Sequence, residues 1–161
     1  AWEYDMRAWV HDIGVGSDGR PRIVFASFSR STGYTDHRYW YAHWDGISWR
    51  KRQITRAGPS IDPDGELQYS AGMALDHENP EILHLARKKG NWFQVEVWKT
   101  PDNGASWDVT PITSSAKHHM RPVVPRNHAG TDEAQVLFMH GRYHRYTDYD
   151  TTVALTNRSL A

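Results

Sequence analysis

Apolar and polar residues alternate along several short stretches of this chain. In one of them, Phe93, Val95 and Val97 fall on one face of an extended strand, and Gln94 and Glu96 fall on the other. Such stretches are short and end at turns rich in Gly, Asn and Pro. No stretch has a sustained helical periodicity, so the pattern predicts an all-β fold.

The pattern of strands and turns repeats along the chain. Gly46 and Trp49 in the first copy correspond to Gly104 and Trp107 in the second, 58 residues later in both cases. A third, partial copy begins at Arg121. Each copy contains four short strand candidates. In the second copy they cover residues 71–75, 82–86, 92–98 and 106–112.

Four-stranded units at a spacing of roughly 50–60 residues are typical of propeller blades. The sequence therefore predicts a partial β-propeller of about three four-stranded antiparallel blades, with residues 1–161 as a single segment. The predicted blades span approximately residues 8–57, 67–115 and 118–158. Strands of a sandwich also alternate, but they do not recur in sets of four.

Composition narrows the classes of partner. The 19 Lys and Arg balance the 19 Asp and Glu, whereas a duplex nucleic-acid binder normally has a basic excess, so no nucleic-acid partner is predicted. The absence of cysteine excludes disulfides and thiolate metal sites. No apolar run is long enough to predict a membrane helix. The polar N-terminus lacks the features of a signal peptide, and we expect the chain to be a segment of something longer.

The turn at residues 100–107 has a recognisable form. Its sequence, Thr-Pro-Asp-Asn-Gly-Ala-Ser-Trp, resembles the Asp box of sialidase-like BNR-repeat propellers, Ser/Thr-x-Asp-x-Gly-x-x-Trp/Thr. Asp102 can accept hydrogen bonds from backbone N–H groups across the turn, and Gly104 can adopt a positive φ. We predict that Asp102 and Trp107 are structural, because this turn lies away from the usual site face of a propeller.

Four longer stretches of the sequence support the same resemblance. Residues 37–46, 69–76, 121–126 and 146–151 resemble the BNR-repeat family that contains ulvan lyases and related rhamnose–glucuronate-cleaving enzymes. The resemblance covers nearly the whole chain. It implies a seven-bladed ring, of which this chain would supply about three blades. Three blades leave two open flanks, so missing blades or a homodimer are expected partners. The resemblance also implies a secreted or periplasmic location.

One face of a propeller collects the loops that enter each first strand and those that join the second and third strands. On this rule, His11, His37, Tyr69, Arg87 and Arg121 surround one opening. Cleavage of a uronate polymer by β-elimination needs a base, an acid and a cation that neutralises the carboxylate. Histidine, tyrosine and arginine supply these groups without a metal or other cofactor, and neither is predicted.

The family resemblance implies a role for each of these residues. Ulvan lyases use two histidines, a tyrosine and an arginine. It therefore implies that His11 and Tyr69 transfer the protons, that Arg87 neutralises the carboxylate, and that His37 either orients the substrate or helps to neutralise its charge. The predicted substrate-binding residues are Arg38, Arg121, Arg142 and Tyr143. The adjacent His118 and His119 resemble metal ligands, but neighbouring strand residues point to opposite faces, so no metal is predicted there.

Three functional interpretations stay open at this stage. The leading one is a polysaccharide lyase that acts on an ulvan-like, rhamnose–glucuronate polymer. A non-catalytic carbohydrate-binding or self-assembling propeller fragment is the second, since a short chain forms only part of a cleft. A glycoside hydrolase is the third, but it needs two carboxylates flanking the bond, and the predicted face is poor in acids.

Overall fold

The computed structural model describes residues 6–128 and 136–156, which form three antiparallel sheets. The first sheet contains β1 (Met6–Val15), β2 (Pro21–Ser29), β3 (His37–Trp44) and β4 (Trp49–Gly58). The second contains β5 (Met73–Leu75), β6 (Ile82–Lys89), β7 (Trp92–Lys99) and β8 (Asp108–Pro111). The third contains β9 (His118–Val123), β10 (Val136–Arg145) and β11 (Asp148–Thr156).

Within each sheet, strands that follow one another in the chain are neighbours, as in a meander. This confirms the predicted all-β fold with the arrangement of a partial β-propeller. The third sheet differs from the prediction, because its described part has three strands rather than four. Its β10 and β11 are long, at 10 and 9 residues, and together occupy most of the chain after residue 136. No helix suited to crossing a membrane occurs in the described residues.

The second sheet lies between the other two and is buried on both faces. As a result, every residue of β7 from Phe93 to Trp98 is buried. One apolar cluster lies between the first and second sheets and comprises Val24, Ala26, Phe28, Tyr39, Tyr41, Ala57, Met73, Leu75, Leu83, Leu85 and Trp98. The second apolar cluster lies between the second and third sheets and comprises Ile61, Ala71, Ala86, Phe93, Val95, Met120, Val124, Val136 and Phe138.

The Asp-box turn has the structural role predicted for it. The carboxylate of Asp102 accepts hydrogen bonds from the backbone N–H and the hydroxyl of Ser106, both at 2.7 Å. The hydroxyl of Thr100 accepts the buried N–H of Gly104 at 2.6 Å, and Gly104 has φ +86°. The ring of Trp107 packs edge-on against Tyr41, with 5.5 Å between centroids. The turn thus links the second sheet to the first.

We expect Thr100→Val to destabilise the chain by about 1–3 kcal/mol, because the buried N–H of Gly104 loses its acceptor while the side-chain volume is kept. Urea unfolding of the variant measures this loss. The matched control is Thr110→Val on β8, whose hydroxyl makes no side-chain hydrogen bond within the described residues. Equal unfolding midpoints for the two variants would show that the Thr100 bond contributes nothing to stability.

Exposed apolar side chains lie along β1 and β11, which are edge strands of the first and third sheets. On β1, Val10 is 69% exposed and Val15 is 60% exposed. On β11, Val153 is 73% exposed and Leu155 is 52% exposed. In a closed ring, the outer faces of the first and third sheets would pack against further blades. Association with further blades or with a second copy stays a prediction.

Candidate functional site

A cleft of about 280 Å³ opens where β1, β5 and β9, the first strands of the three sheets, approach one another. First strands approach in this way because the three sheets are stacked side by side. The cleft is lined by His11, Asp12, Gly72, Met73, Ala74, His77, Arg121, Pro122, Val123, Val124 and Arg126. Of the residues predicted for the site, His11 and Arg121 line this cleft.

His11 is held in place from two sides. Its Nε2 lies 2.8 Å from the Oγ of the buried Ser70, and its ring meets the ring of Tyr39 edge-on at 6.2 Å. Burial, and to a smaller extent the positive charge of Arg121, lower the pKa of His11 to about 4 against the opposing effect of Asp12. The imidazole is therefore neutral at pH 7 and fixed in orientation.

Arg121 adopts an unusual backbone conformation. Its φ is +55°, a left-handed value that is uncommon for a residue with a side chain. Its N–H donates to the carbonyl of Ala71 at 2.6 Å. At Gly72, a Cβ atom would lie 3.1 Å from the Arg121 Cα, so glycine permits this close approach. The resulting conformation places the guanidinium 4.9 Å from the centroid of the Tyr69 ring.

Beneath the cleft, Tyr39 connects two sheets. Its buried hydroxyl donates to the carbonyl of Ala86 at 3.0 Å and accepts the N–H of Gly72 at 2.9 Å. Burial raises the pKa of Tyr39 well above its ordinary value, so this hydroxyl stays protonated. Tyr39 thus supports both His11, through ring contact, and the backbone that leads into the cleft.

A row of aromatic rings extends from Tyr69. The ring centroids of Tyr69 and Tyr143 are 6.4 Å apart, and Tyr143 stacks on Tyr149 at 6.1 Å with an interplanar angle of 16°. Burial raises the pKa of Tyr143 to about 12, so its phenol is neutral. Arg142 is exposed, but it precedes Tyr143 on β10 and so points to the opposite face of the strand, which leaves Arg121 as the arginine beside this row. Aromatic faces flanked by arginine suit a sugar carrying a carboxylate or sulfate.

The other predicted residues lie elsewhere. His37 is 0% exposed, packs against Phe28 and donates from Nε2 to the carbonyl of Leu67 at 2.9 Å. This bond anchors the loop that precedes Tyr69. The guanidinium of Arg38 is paired with Asp36 at 2.9 Å.

Arg87 is also paired. Its Nε and Nη2 donate to the carboxylate of Glu96 at 2.6 and 3.1 Å, and its guanidinium lies 5.5 Å from the Trp98 ring centroid. Glu96 is 1% exposed. The charge of Arg87 is therefore already balanced by a buried carboxylate, whereas Arg121 lines the cleft.

Sequence reasoning did not select His77 and Arg126, which line the cleft. The Nε2 of His77 lies 3.0 Å from the carboxylate of Asp12, which also accepts the N–H of Leu75 at 3.0 Å. These contacts join the first and second sheets. The repeat contains no signal for them, because they connect residues of different blades that are 63 and 65 positions apart in the sequence.

We expect the unfolding free energy to fall as the pH decreases from 6.5 towards 4, and His11 to account for part of the fall. The folded-state pKa of about 4 lies below the ordinary value of 6.5, so the unfolded chain binds more protons between these values. Stability from this group is complete above pH 6.5. Urea unfolding at several pH values should show a flatter profile for His11→Gln, and parallel profiles would contradict this assignment.

Comparison with protein-family models, with curated proteins and with solved structures gave no match for this chain. The arrangement of the side chains around the cleft is therefore the basis for the functional argument.

Proposed function

We propose that this chain is a polysaccharide lyase segment that cleaves a uronate-containing, ulvan-like polymer by β-elimination. One observation supports the proposal above all others. The guanidinium of Arg121 lies over the ring of Tyr69 and also lowers the pKa of His11. Arg121 lines the cleft together with His11 and contacts the ring of Tyr69, and a cation, a neutral imidazole and a phenol are the groups that elimination needs.

In the proposed reaction, a base removes the proton from C5 of the uronate. The electron pair of the C5–H bond forms the C4–C5 double bond, the bond from C4 to the glycosidic oxygen breaks, and an acid protonates the departing oxygen. Tyr69 and His11 form the proton-transfer pair. The reaction consumes no water and needs no oxidant or reductant.

Arg121 takes the carboxylate-neutralising role in this proposal. Negative charge builds on the uronate carboxylate as C5 loses its proton, and a fixed guanidinium stabilises that charge. Arg87 is the residue to which the family resemblance gives this role, but it is engaged by Glu96. A carboxylate bound at Arg121 also raises the pKa of His11 from about 4, which makes the imidazole a stronger base once substrate is present.

The acid content of the cleft also favours elimination over hydrolysis. Asp12 is the single carboxylate among the described residues that line the cleft, and it is engaged by His77 and by the N–H of Leu75. A glycosidase of the usual kind needs two carboxylates, one on each side of the bond that is cut.

A direct test is to incubate the chain with ulvan, and in parallel with a neutral polysaccharide, while following ultraviolet absorbance. The proposal predicts a rise in absorbance from the new C4–C5 double bond with ulvan and none with the neutral polymer. New reducing ends without this absorbance would indicate hydrolysis and would refute the lyase proposal.

The second candidate is a carbohydrate-binding module without catalysis, and the row formed by Tyr69, Tyr143 and Tyr149 favours it. Stacking on these rings accounts for sugar binding without any proton transfer. Binding of ulvan that is weakened by Tyr143→Ala, together with no change in absorbance, would favour this candidate. A secreted or periplasmic location and assembly with further blades or a second copy belong to both proposals.

A further inference from the structure

Three side chains with metal-binding atoms meet at the join between the second and third sheets. Nε2 of His128 lies 3.0 Å from an oxygen of Asp76 and 3.3 Å from an oxygen of Glu78. One donor atom from each of the three lies within 4.8 Å of the other two. Asp76 and Glu78 belong to the turn after β5, and His128 follows β9.

A fourth side chain, His84, is buried without a hydrogen-bond partner. It is 0% exposed, and neither of its ring nitrogens makes a hydrogen bond within the described residues. Leaving a buried polar atom unsatisfied destabilises the folded state, so such a group calls for a physical explanation.

The strand register places His84 beside Asp76, and its ring nitrogens lie outside the group of donor atoms that are within 4.8 Å of one another. On β6, His84 pairs directly with Ala74 of β5, so both side chains point to the same face. Asp76 is two residues beyond Ala74 and shares that face, which makes it a diagonal neighbour of His84. Asp76 and His128 are also the two charged groups whose electrostatic effect reaches the His84 ring.

We propose that Asp76, Glu78 and His128 bind one divalent transition-metal ion, of which zinc is the best fit, and that the ring of His84 turns towards the ion as the fourth ligand. Two imidazoles and two carboxylates offer two nitrogen and two oxygen donors, a set that suits the four-coordinate preference of Zn²⁺. Calcium and magnesium prefer all-oxygen sites with more ligands. The site is separate from the proposed proton-transfer pair, and the proposal does not depend on the lyase function.

The ion would join two blades. Three of its ligands come from the second sheet and its turn, and the fourth follows the third sheet. His77 lies between two of the ligands in sequence, and Arg126 lies two positions before His128. Both line the cleft. The metal site therefore fixes two segments that form the cleft wall, and its role is structural.

The test uses the untagged, metal-stripped chain titrated with Zn²⁺ by calorimetry and with Co²⁺ by visible absorbance. We expect one equivalent of Zn²⁺ per chain, a rise in the melting temperature, and the visible bands of tetrahedral Co²⁺. A ligand bound in the folded state stabilises that state by mass action.

Zn²⁺ binding by two variants and one control tests whether the ion is bound at this site. Glu78→Gln keeps the acceptor for the N–H of Asn127, and His128→Ala alters a half-buried residue outside the strands. We expect each to weaken Zn²⁺ binding by roughly 10- to 100-fold or more. The control is His144→Ala, an exposed histidine on β10, which should bind as the unaltered chain does.

Several results would overturn the proposal. No Zn²⁺ binding by the unaltered chain would show that His128 forms ordinary ion pairs with Asp76 and Glu78. Binding that survives both Glu78→Gln and His128→Ala, or that is lost in His144→Ala, would place the ion elsewhere. Circular dichroism of each variant confirms folding, and Glu78→Gln alters an exposed side chain, so this variant tests the site even if His128→Ala does not fold.

Discussion

Replacing Tyr69 by phenylalanine is expected to lower the turnover of a uronate polymer by about 10²–10⁴-fold, the usual contribution of one proton-transfer group. The variant loses a single hydroxyl. That hydroxyl makes no hydrogen bond within the described residues, while the ring contacts with Arg121 and Tyr143 do not require it. Stability and polymer affinity should therefore change little. The measurement is kcat from the ultraviolet assay, with binding followed separately.

Tyr34→Phe is the matched control for this experiment. The ring of Tyr34 packs against the apolar cluster between the first two sheets, and its hydroxyl makes no hydrogen bond in the described part of the chain. We expect normal turnover from this control. Unaltered turnover by Tyr69→Phe would remove Tyr69 from the mechanism, whereas a parallel loss in Tyr34→Phe would indicate a general loss of structure.

Glu96→Ala is expected to cause the largest loss of stability, about 3 kcal/mol or more. Glu96 is 1% exposed and binds Arg87 at 2.6 Å, the indole N–H of Trp98 at 3.0 Å and Lys89 at 3.2 Å. Truncation leaves these donors, including a largely buried guanidinium, without their acceptor. Urea unfolding measures the loss. Glu81→Ala is the control, because the Glu81 side chain makes no hydrogen bond within the described residues.

Glu96 also makes the free energy of unfolding depend on pH in the acidic range. Burial alone would raise its pKa, but the hydrogen bonds from Arg87 and Trp98 outweigh burial and lower the pKa below the ordinary 4.5. The stabilisation is present above about pH 4.5 and is lost as the pH falls through the folded-state pKa. Glu96→Gln should therefore lose this acid-dependent component, and an unchanged acid profile would contradict the assignment.

The fold was predictable because its signals are local. The alternation around Phe93 and Val95 and the Asp-box turn at Asp102 each lie within one blade, and the 58-residue spacing repeats such local features in the next blade. Strand lengths were less accurate at Gly72, whose φ of +98° ends the extended conformation and leaves β5 with three residues. Local sequence does not determine where a neighbouring blade forces the backbone to turn.

The site was partly predictable for the same reason. His11 and Arg121 lie near first strands, and first strands meet in any propeller. The surroundings of His37 and Arg87 were not predictable, because burial against Phe28 and pairing with Glu96 depend on register and on the stacking of sheets. The contact between Asp12 and His77 also joins separate blades.

The most direct test of the central claim is mass spectrometry of the products formed from ulvan in water enriched in heavy oxygen. Hydrolysis adds one oxygen atom from water for each bond cut, at the new reducing end, whereas elimination adds none. We predict products that carry an unsaturated uronate end and no heavy oxygen, formed by the unaltered chain and not by Tyr69→Phe. Saturated products that contain heavy oxygen, or no products from a chain that binds the polymer, would contradict the proposed lyase function.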